Sequence, residues 1–269
     1  MMGKPIRIEH VTKSYNGLEA LSSTSLHIEE GEFVSLVGPS GCGKSTLLRI
    51  VAGLDTPTNG RVSIADRTVT KPETDIGIVF QSPVLLDWRS VLDNVLLQAE
   101  ARRLPHDVYA ARAQDLLAAA GLKGFENAYP YQLSGGMSQR VSVCRALVHN
   151  PSLLLMDEPF GALDALTRDQ MMVDLQKLWL RSRPTVIFVT HSVQEAVFLS
   201  DRIIVMAPRP GRVEAVLDVP LPRSRRLSMR GTAEFNAIVD EILHHFQRMG
   251  VIRDDEGETP DNTTMEMAL

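Results

Sequence analysis

Cysteine is nearly missing from this chain: only Cys42 and Cys144 occur, far apart in sequence. That excludes a disulfide scaffold and a cysteine-rich zinc site, and it fits a reducing compartment. Long apolar runs are missing too. The longest, "SLLLM" and "TVIFV", are strand-length and fall short of the roughly 20 residues that a membrane-spanning helix needs. The opening "MMGKPIRIEHV" holds no apolar core of a signal peptide. A cytoplasmic protein is therefore expected, and any membrane role has to come through a partner. Basic residues are not in excess: 28 Lys and Arg stand against 33 Asp and Glu, a net charge of −5, so no nucleic-acid footprint is indicated. No internal repeat occurs. What remains is ordinary globular composition, 44% hydrophobic and 23% charged over 269 residues, enough for one large domain or a core with appended lobes.

The pattern along the chain changes character twice. "IRIEHV" and "SLHIEE" alternate as strands with Asn16–Gly17 as a turn between them, and "EFVSLV" is a short apolar strand. "KSTLLRIVAGL" predicts a helix stopped at Gly53, with further strands at "RVSIA" and "DIGIVF". From about Trp88 to Asn150 the spacing turns helical, in "VLDNVLLQAEARR", "HDVYAARAQDLLAAAGL" and "MSQRVSVCRALVHN". Strands return at "SLLLMD", "TVIFVT" and "RIIVM", with the helical "DALTRDQMMVDLQKLWLRS" after the first. This predicts an α/β core interrupted by an all-helical insertion. "PLPRSRR", Pro220–Arg226, reads as a solvated basic linker. Phe235, Ile238, Val239, Ile242, Leu243 and Phe246 then form one helical stripe that should dock on something. The end is polar and acidic and is expected to be disordered.

The strongest chemical signal is "GPSGCGKS", Gly38 to Ser45, which fits G-x-x-x-x-G-K-[ST] with a strand before it and a helix after it. Such a loop curls backbone N–H groups around phosphate oxygens, and the helix N-terminus adds its positive dipole end. Lys44 would reach the β and γ phosphates, and the Ser45 hydroxyl would bind Mg²⁺. "SLLLMDEP" is a buried strand ending in two carboxylates. Asp157 at its tip is placed to hold the Mg²⁺ shell, and Glu158 to polarise an attacking water. "TVIFVTHS" ends likewise in His191. Three strands each followed by a reactive residue, Lys44, Glu158 and His191, point to one site. His191 would then contact the γ-phosphate.

With these pieces in order the chain resembles the ATP-binding subunit of ATP-binding-cassette (ABC) transporters, over residues 5 to about 217. The family's Walker A motif is similar to "GPSGCGKST", Gly38, Pro39, Ser40, Gly41, Cys42, Gly43, Lys44, Ser45 and Thr46, and its Walker B motif to "LLLMDEP". Its Q-loop glutamine matches Gln81 in "IVFQSP", its D-loop "GALD" with Asp164, and its switch histidine His191. The adenine-stacking aromatic matches Tyr15 in "VTKSY", which could also be a strand aromatic packed in the core. "LSGGMSQR", Leu133–Arg140, looks like the family's signature motif. The resemblance implies a head-to-tail homodimer in which Ser134, Gly135 and Gly136 of one copy face the γ-phosphate held by the Walker A motif of the other, at the start of the helix "MSQRVSVCRALVHN". It also implies that Gln81 joins Ser45 and Asp157 at Mg²⁺, and that Glu158, His191, Lys44 and Gln81 carry hydrolysis of ATP.

The implied fold is a P-loop ATPase core, about 1–87 and 151–220, with a mixed sheet and an antiparallel β-subdomain. A helical subdomain fills about 88–150, a linker and amphipathic helix 221–250, and an acidic tail 251–269. The implied partners are an integral-membrane permease and, through it, a periplasmic or lipoprotein solute-binding protein, with the ATPase peripheral at the cytoplasmic face of the inner membrane. Val84, Leu85, Leu86 and Trp88, beyond the Q-loop, are either the permease-facing apolar set or part of the helical lobe's interior. "LLDW", "MDEPFGALDALTR" and "PLPRSRR" point to the importer branch for nitrate, sulfonates and taurine. Met137 stands where the family pattern usually has glutamine. Its thioether cannot replace an amide's hydrogen bonds, but methionine is common in that branch. The alternative, an ABC ATPase acting on nucleic acid or ribosomes, would bring coiled coils, a zinc module or a second cassette, and none is present. A plain soluble phosphate-loop kinase would lack the signature and the Q-loop.

Overall fold

The structure, a computed structural model, describes residues 3–252. Two sheets carry it. The smaller is antiparallel, in the order β2-β1-β4-β5, from β1 (Ile6–Tyr15), β2 (Leu18–Ile28), β4 (Asn59–Ile64) and β5 (Arg67–Thr68). Asn16 and Gly17 both adopt positive φ, 49° and 82°, which turns β1 tightly into β2. The larger sheet runs β10-β9-β3-β8-β7-β6, from β3 (Phe33–Val37), β6 (Ile76–Val79), β7 (Leu153–Asp157), β8 (Thr185–Thr190), β9 (Arg202–Ala207) and β10 (Arg212–Asp218). Its strands pair in parallel except β10, which lies antiparallel at the edge beside β9.

The central strands are apolar at nearly every position because both of their faces are covered. In β3, Phe33 and Val37 face one core and Val34 and Leu36 the other. In β7, Leu154 and Met156 alternate with Leu153 and Leu155 in the same way. The first core holds α5 (Ala165–Ser182), α6 (Val193–Leu199), α7 (Ala233–Arg248) and the helical insertion. The second holds α1 (Lys44–Val51) and the antiparallel sheet. The insertion between β6 and β7 is α2 (Val91–Ala101), α3 (His106–Ala119) and α4 (Gly135–Leu147).

Three expectations shift. The helix after the phosphate loop ends at Val51, before Gly53 turns the chain at φ 70°. The signature helix α4 starts at Gly135, two residues before the expected Met137, because the Ser134 Oγ caps it by accepting from the Met137 N–H at 3.3 Å. The Pro220–Arg226 stretch is not a solvated linker. Arg225 is 2% exposed, and its guanidinium donates to the carbonyls of Val197, Phe198, Ser200, Val219 and Leu221 at 2.6–3.3 Å. Arg223 pairs with Asp201 at 2.7 Å and lies 4.6 Å over the Trp179 ring. The stretch is a strap bolted to α6 by the carbonyls that the Arg225 guanidinium meets and to α5 by the Gln176 amide, which bonds the Arg225 backbone. Beyond it, Phe235, Ile238, Ile242 and Phe246 are buried, with Val239 and Leu243 half-buried at the margin, where α7 packs on α6. The acidic tail lies, from residue 253 onward, outside the described residues.

Candidate functional site

The parallel register sets the site. Val37 is level with Thr190, Asp157 with Val189, and Val79 with Met156, so β3, β8, β7 and β6 all end at one rim. The residues that follow, Gly38–Lys44, His191, Glu158 and Gln81, therefore converge there, where open α/β sheets bind ligands.

From β3 the loop 38–43 rises into α1. Gly41 and Gly43 hold φ of 75° and 90°, which side-chain-bearing residues resist. Gly38 is needed for space, since a Cβ there would lie 2.7 Å from the Met206 carbonyl oxygen. The Lys44 ammonium spans the loop and donates to the carbonyls of Gly38 and Pro39 at 2.8 and 3.0 Å. The Ser45 Oγ donates to Asp157 Oδ1 at 2.7 Å, so two of the three expected Mg²⁺ ligands already sit together. The Cys42 thiol is buried among apolar side chains, and burial pushes its pKa up, so this residue offers the site its backbone and not its sulfur.

Tyr15 is not a core aromatic. It is 43% exposed, its ring carries the Lys13 ammonium at 4.7 Å, and its hydroxyl donates to Asp55. Burial and that hydrogen bond push the phenol's pKa up. One cleft of about 310 Å³ is lined by Tyr15, Leu18 and Ala20 on one side and by Ser40, Gly41, Gly43, Lys44, Ser45 and Thr46 on the other, with Glu158 and Arg209 at its margin. A larger hollow of about 600 Å³, between α3 and α5 at Arg112, Asp115 and Arg181, contains none of the motif residues.

Glu158 takes φ 45° and its N–H donates to the Val189 carbonyl, fixing the carboxylate 3.6 Å from His191 Nδ1. Gln81 is exposed at the same rim, near Gly161. Ser134, Gly135, Gly136 and Asp164 do not line the cleft. Gly135 is exposed with open space around it, whereas a Cβ on Gly136 would lie 2.5 Å from Thr167 Cγ2, so Gly136 lets α4 meet α5. The Asp164 carboxylate caps α5 by accepting from the Thr167 N–H at 3.0 Å, and hydrogen bonding by the Thr167 hydroxyl, with that N–H, holds its pKa below the usual carboxylate range. Met137 packs half-buried on the first core. The apolar set after Gln81 divides: Val84 and Trp88 are 59% and 75% exposed, while Leu85 and Leu86 are half-buried.

Sequence reasoning missed Arg209. It follows β9 in the turn "APRPGR", and its Nε donates to the Gly41 carbonyl at 3.1 Å. Only the docking of that turn along β2, where the Gly211 N–H donates to the Ala20 carbonyl, brings it to the phosphate loop.

Known proteins share this arrangement. Residues 21–161 match the ABC transporter family. A taurine import ATP-binding protein of Rhizobium johnstonii is 45% identical over 230 residues, 84% of this chain and 88% of the relative. An aliphatic sulfonates import ATP-binding protein of Bacillus cereus is 39% identical over 248 residues, 91% of this chain and 95% of the relative. A solved dimeric ATP-binding cassette in a post-hydrolysis state, bound to ADP and Pi, superposes with a TM-score of 0.71 at 37% identity, covering 81% of this chain and 100% of that one. Matching rim, phosphate loop and lineage together, the chain belongs to the ABC transporter family as one of its ATP-hydrolysing, ATP-binding subunits.

Proposed function

We propose that two copies of this chain pack head to tail and power an importer of a small anionic solute of the nitrate, sulfonate or taurine type. The observation that carries the dimer is the incomplete cleft. Its lining supplies the phosphate loop, the adenine-side tyrosine and the base, yet none of Ser134, Gly135 and Gly136, which start a helix elsewhere on the same chain with Ser134 and Gly135 exposed. A helix N-terminus with free N–H groups binds anions. A second copy would bring it to the γ-phosphate and close the site. The imports named for the relatives support the solute class.

In this reading Lys44 and the loop amides hold the β and γ phosphates. The hydroxyl of Ser45 and the carboxylate of Asp157 form a hard-oxygen pair that suits Mg²⁺, which takes one or two protein oxygens beside phosphates and water, and Gln81, exposed at the same rim, would join them. Mg²⁺ supplies neutralisation of the phosphate charge. Glu158 accepts the proton of the attacking water, and His191, 3.6 Å away, orients it and holds the γ-phosphate. Tyr15 stacks on adenine, and the Asp164 loop meets the partner copy. Val84 and Trp88 present an exposed apolar surface that suits a permease, and with one bound the dimer would sit at the cytoplasmic face of the membrane, coupled to a solute-binding protein outside. No helix among the described residues is long and apolar enough to cross a membrane itself.

Glu158→Gln tests the reading. The variant should bind ATP, turn it over at least about a hundredfold more slowly, and elute as a dimer when Mg²⁺ and ATP are present. Rapid turnover removes Glu158 as the base, and a monomer with ATP bound removes the nucleotide-dependent dimer.

A further inference from the structure

Two loops at the rim carry the reactive residues, one from Glu158 to Asp164 and one at His191, and a buried polar chain joins them away from the cleft. The Thr190 hydroxyl, 1% exposed and next to His191, donates to Glu195 Oε2 at 2.6 Å and accepts from the Ser192 N–H at 3.0 Å. The other carboxylate oxygen of Glu195, a residue 4% exposed, lies 3.5 Å from Arg168 Nε. Arg168 Nη2 in turn donates to the Leu163 carbonyl at 2.8 Å. Leu163 is held to Phe160, and Gly161 to Glu158, by backbone hydrogen bonds of 3.1 and 3.2 Å. Glu158 faces His191 at 3.6 Å, and the circuit closes.

We infer that Arg168 and Glu195 are a positioning pair that makes the Glu158–Asp164 loop and the His191 loop move as one body. Neither residue lines the nucleotide cleft. The pair's work is done through the loops at its two ends. The chemistry of the pair favours this over a simple stabilising role. Glu195 is buried and Arg168 half-buried, so breaking the pair leaves the Glu195 carboxylate uncompensated inside the protein and loosens whatever each partner holds. Here each partner holds a loop. Arg168 satisfies a carbonyl of the turn before α5, and Glu195 receives the hydroxyl of the residue that precedes the histidine. Two discrete arrangements of such a circuit would let loss of the γ-phosphate at His191 be felt at Asp164, the residue proposed to face the other copy. Arg230, which pairs with Asp169 at 2.8 Å, and the titratable His191 are the other groups facing Glu195.

The inference rests on the proposed role of His191, and the experiment separates the two. Full-length Glu195→Gln, Arg168→Gln and the double variant are compared for kcat, KM for ATP and thermal midpoint, with His191→Ala alongside. Each single variant should lower kcat about tenfold with KM within about twofold, and the double should lose no more than either single, because all three break the same circuit. Thr190→Val should lower kcat in the same way and Thr190→Ser should restore it, which keeps the test open if a charge variant fails to fold. Multiplicative losses in the double, or a lower thermal midpoint with unchanged kcat, would overturn the pair's positioning role. Wild-type turnover by His191→Ala would overturn the histidine's role instead. Loss of turnover there with normal turnover in Glu195→Gln would overturn the pair alone.

Discussion

At the scale of single residues, the two glycines of the signature are not equivalent. A Cβ on Gly135 meets nothing within 4 Å, and its backbone is ordinary helix. Alanine there costs no packing and gains up to about 1 kcal/mol of helix propensity. Gly136 is different, because its Cβ would stand 2.5 Å from the methyl of Thr167, a β-branched side chain with little freedom to turn away. We expect Gly136→Ala to lose about 1–3 kcal/mol through overpacking. Adding Thr167→Ser, which removes that methyl, should recover most of the loss. Gly135→Ala should keep or raise its thermal midpoint yet lose ATP turnover, since the proposed phosphate contact needs close backbone approach. Thermal melts and steady-state ATPase on the four proteins decide the matter. Equal melting points for the two alanine variants would mean that the α4–α5 contact yields without cost.

At the scale of elements, the strands of the central sheet were legible because burial on both faces writes them as unbroken apolar runs, as in "TVIFVT", which is β8 residue for residue. The long helices of the insertion were legible from their spacing. The short α6 was not: seven residues, five of them buried, leave no polar face to show a period. Nor was β10, which is half-exposed at the sheet edge. The Pro220–Arg226 strap was misread because arginine is usually solvated, and only the three-dimensional fold reveals the carbonyls that Arg225 satisfies. In the site, the phosphate loop and strand tips were legible as local motifs. Arg209 and the Arg168–Glu195 link were not, since both depend on contacts between distant segments. One such contact is testable by pH. His149, just after α4, is 7% exposed, and burial together with the Arg102 charge pulls its pKa down from the ordinary 6.5 to about 4. Between those values the unfolded chain binds a proton that the native chain refuses. The stability is therefore complete above about pH 6.5 and is lost as pH falls toward 4, by about 2 kcal/mol at pH 5. Every buried or paired group adds to acid denaturation, so the comparison is with His149→Leu, which should lose stability between pH 7 and pH 5 less steeply by that amount. Parallel pH profiles in urea titrations would contradict it.

At the scale of the whole molecule, the phosphate-loop cleft and the start of the signature helix lie apart on the same chain, and the proposed function makes them two halves of one site. A larger core or further contacts within one copy cannot join them. In the proposed dimer a second copy related by a twofold axis joins them, and such an interface would be isologous: whatever one copy gives at Ser134, it would receive at Lys44. Replacing Ser134 with arginine in the Glu158→Gln background isolates this. The serine's cap on α4 is lost, which costs about 1 kcal/mol, well below what a domain of this size needs to unfold. The phosphate loop, Tyr15 and the Ser45–Asp157 pair are untouched, so ATP should bind each protomer with an affinity within about twofold of the single variant. The bulky cation at the helix N-terminus should nonetheless block closure, and the double variant should elute as an ATP-loaded monomer where Glu158→Gln alone elutes as a dimer. Loss of ATP binding would place Ser134 in the cleft of its own chain, and a persistent dimer would mean that the two copies meet through some other surface. Monomer with nucleotide bound is the outcome that only a site shared between copies produces.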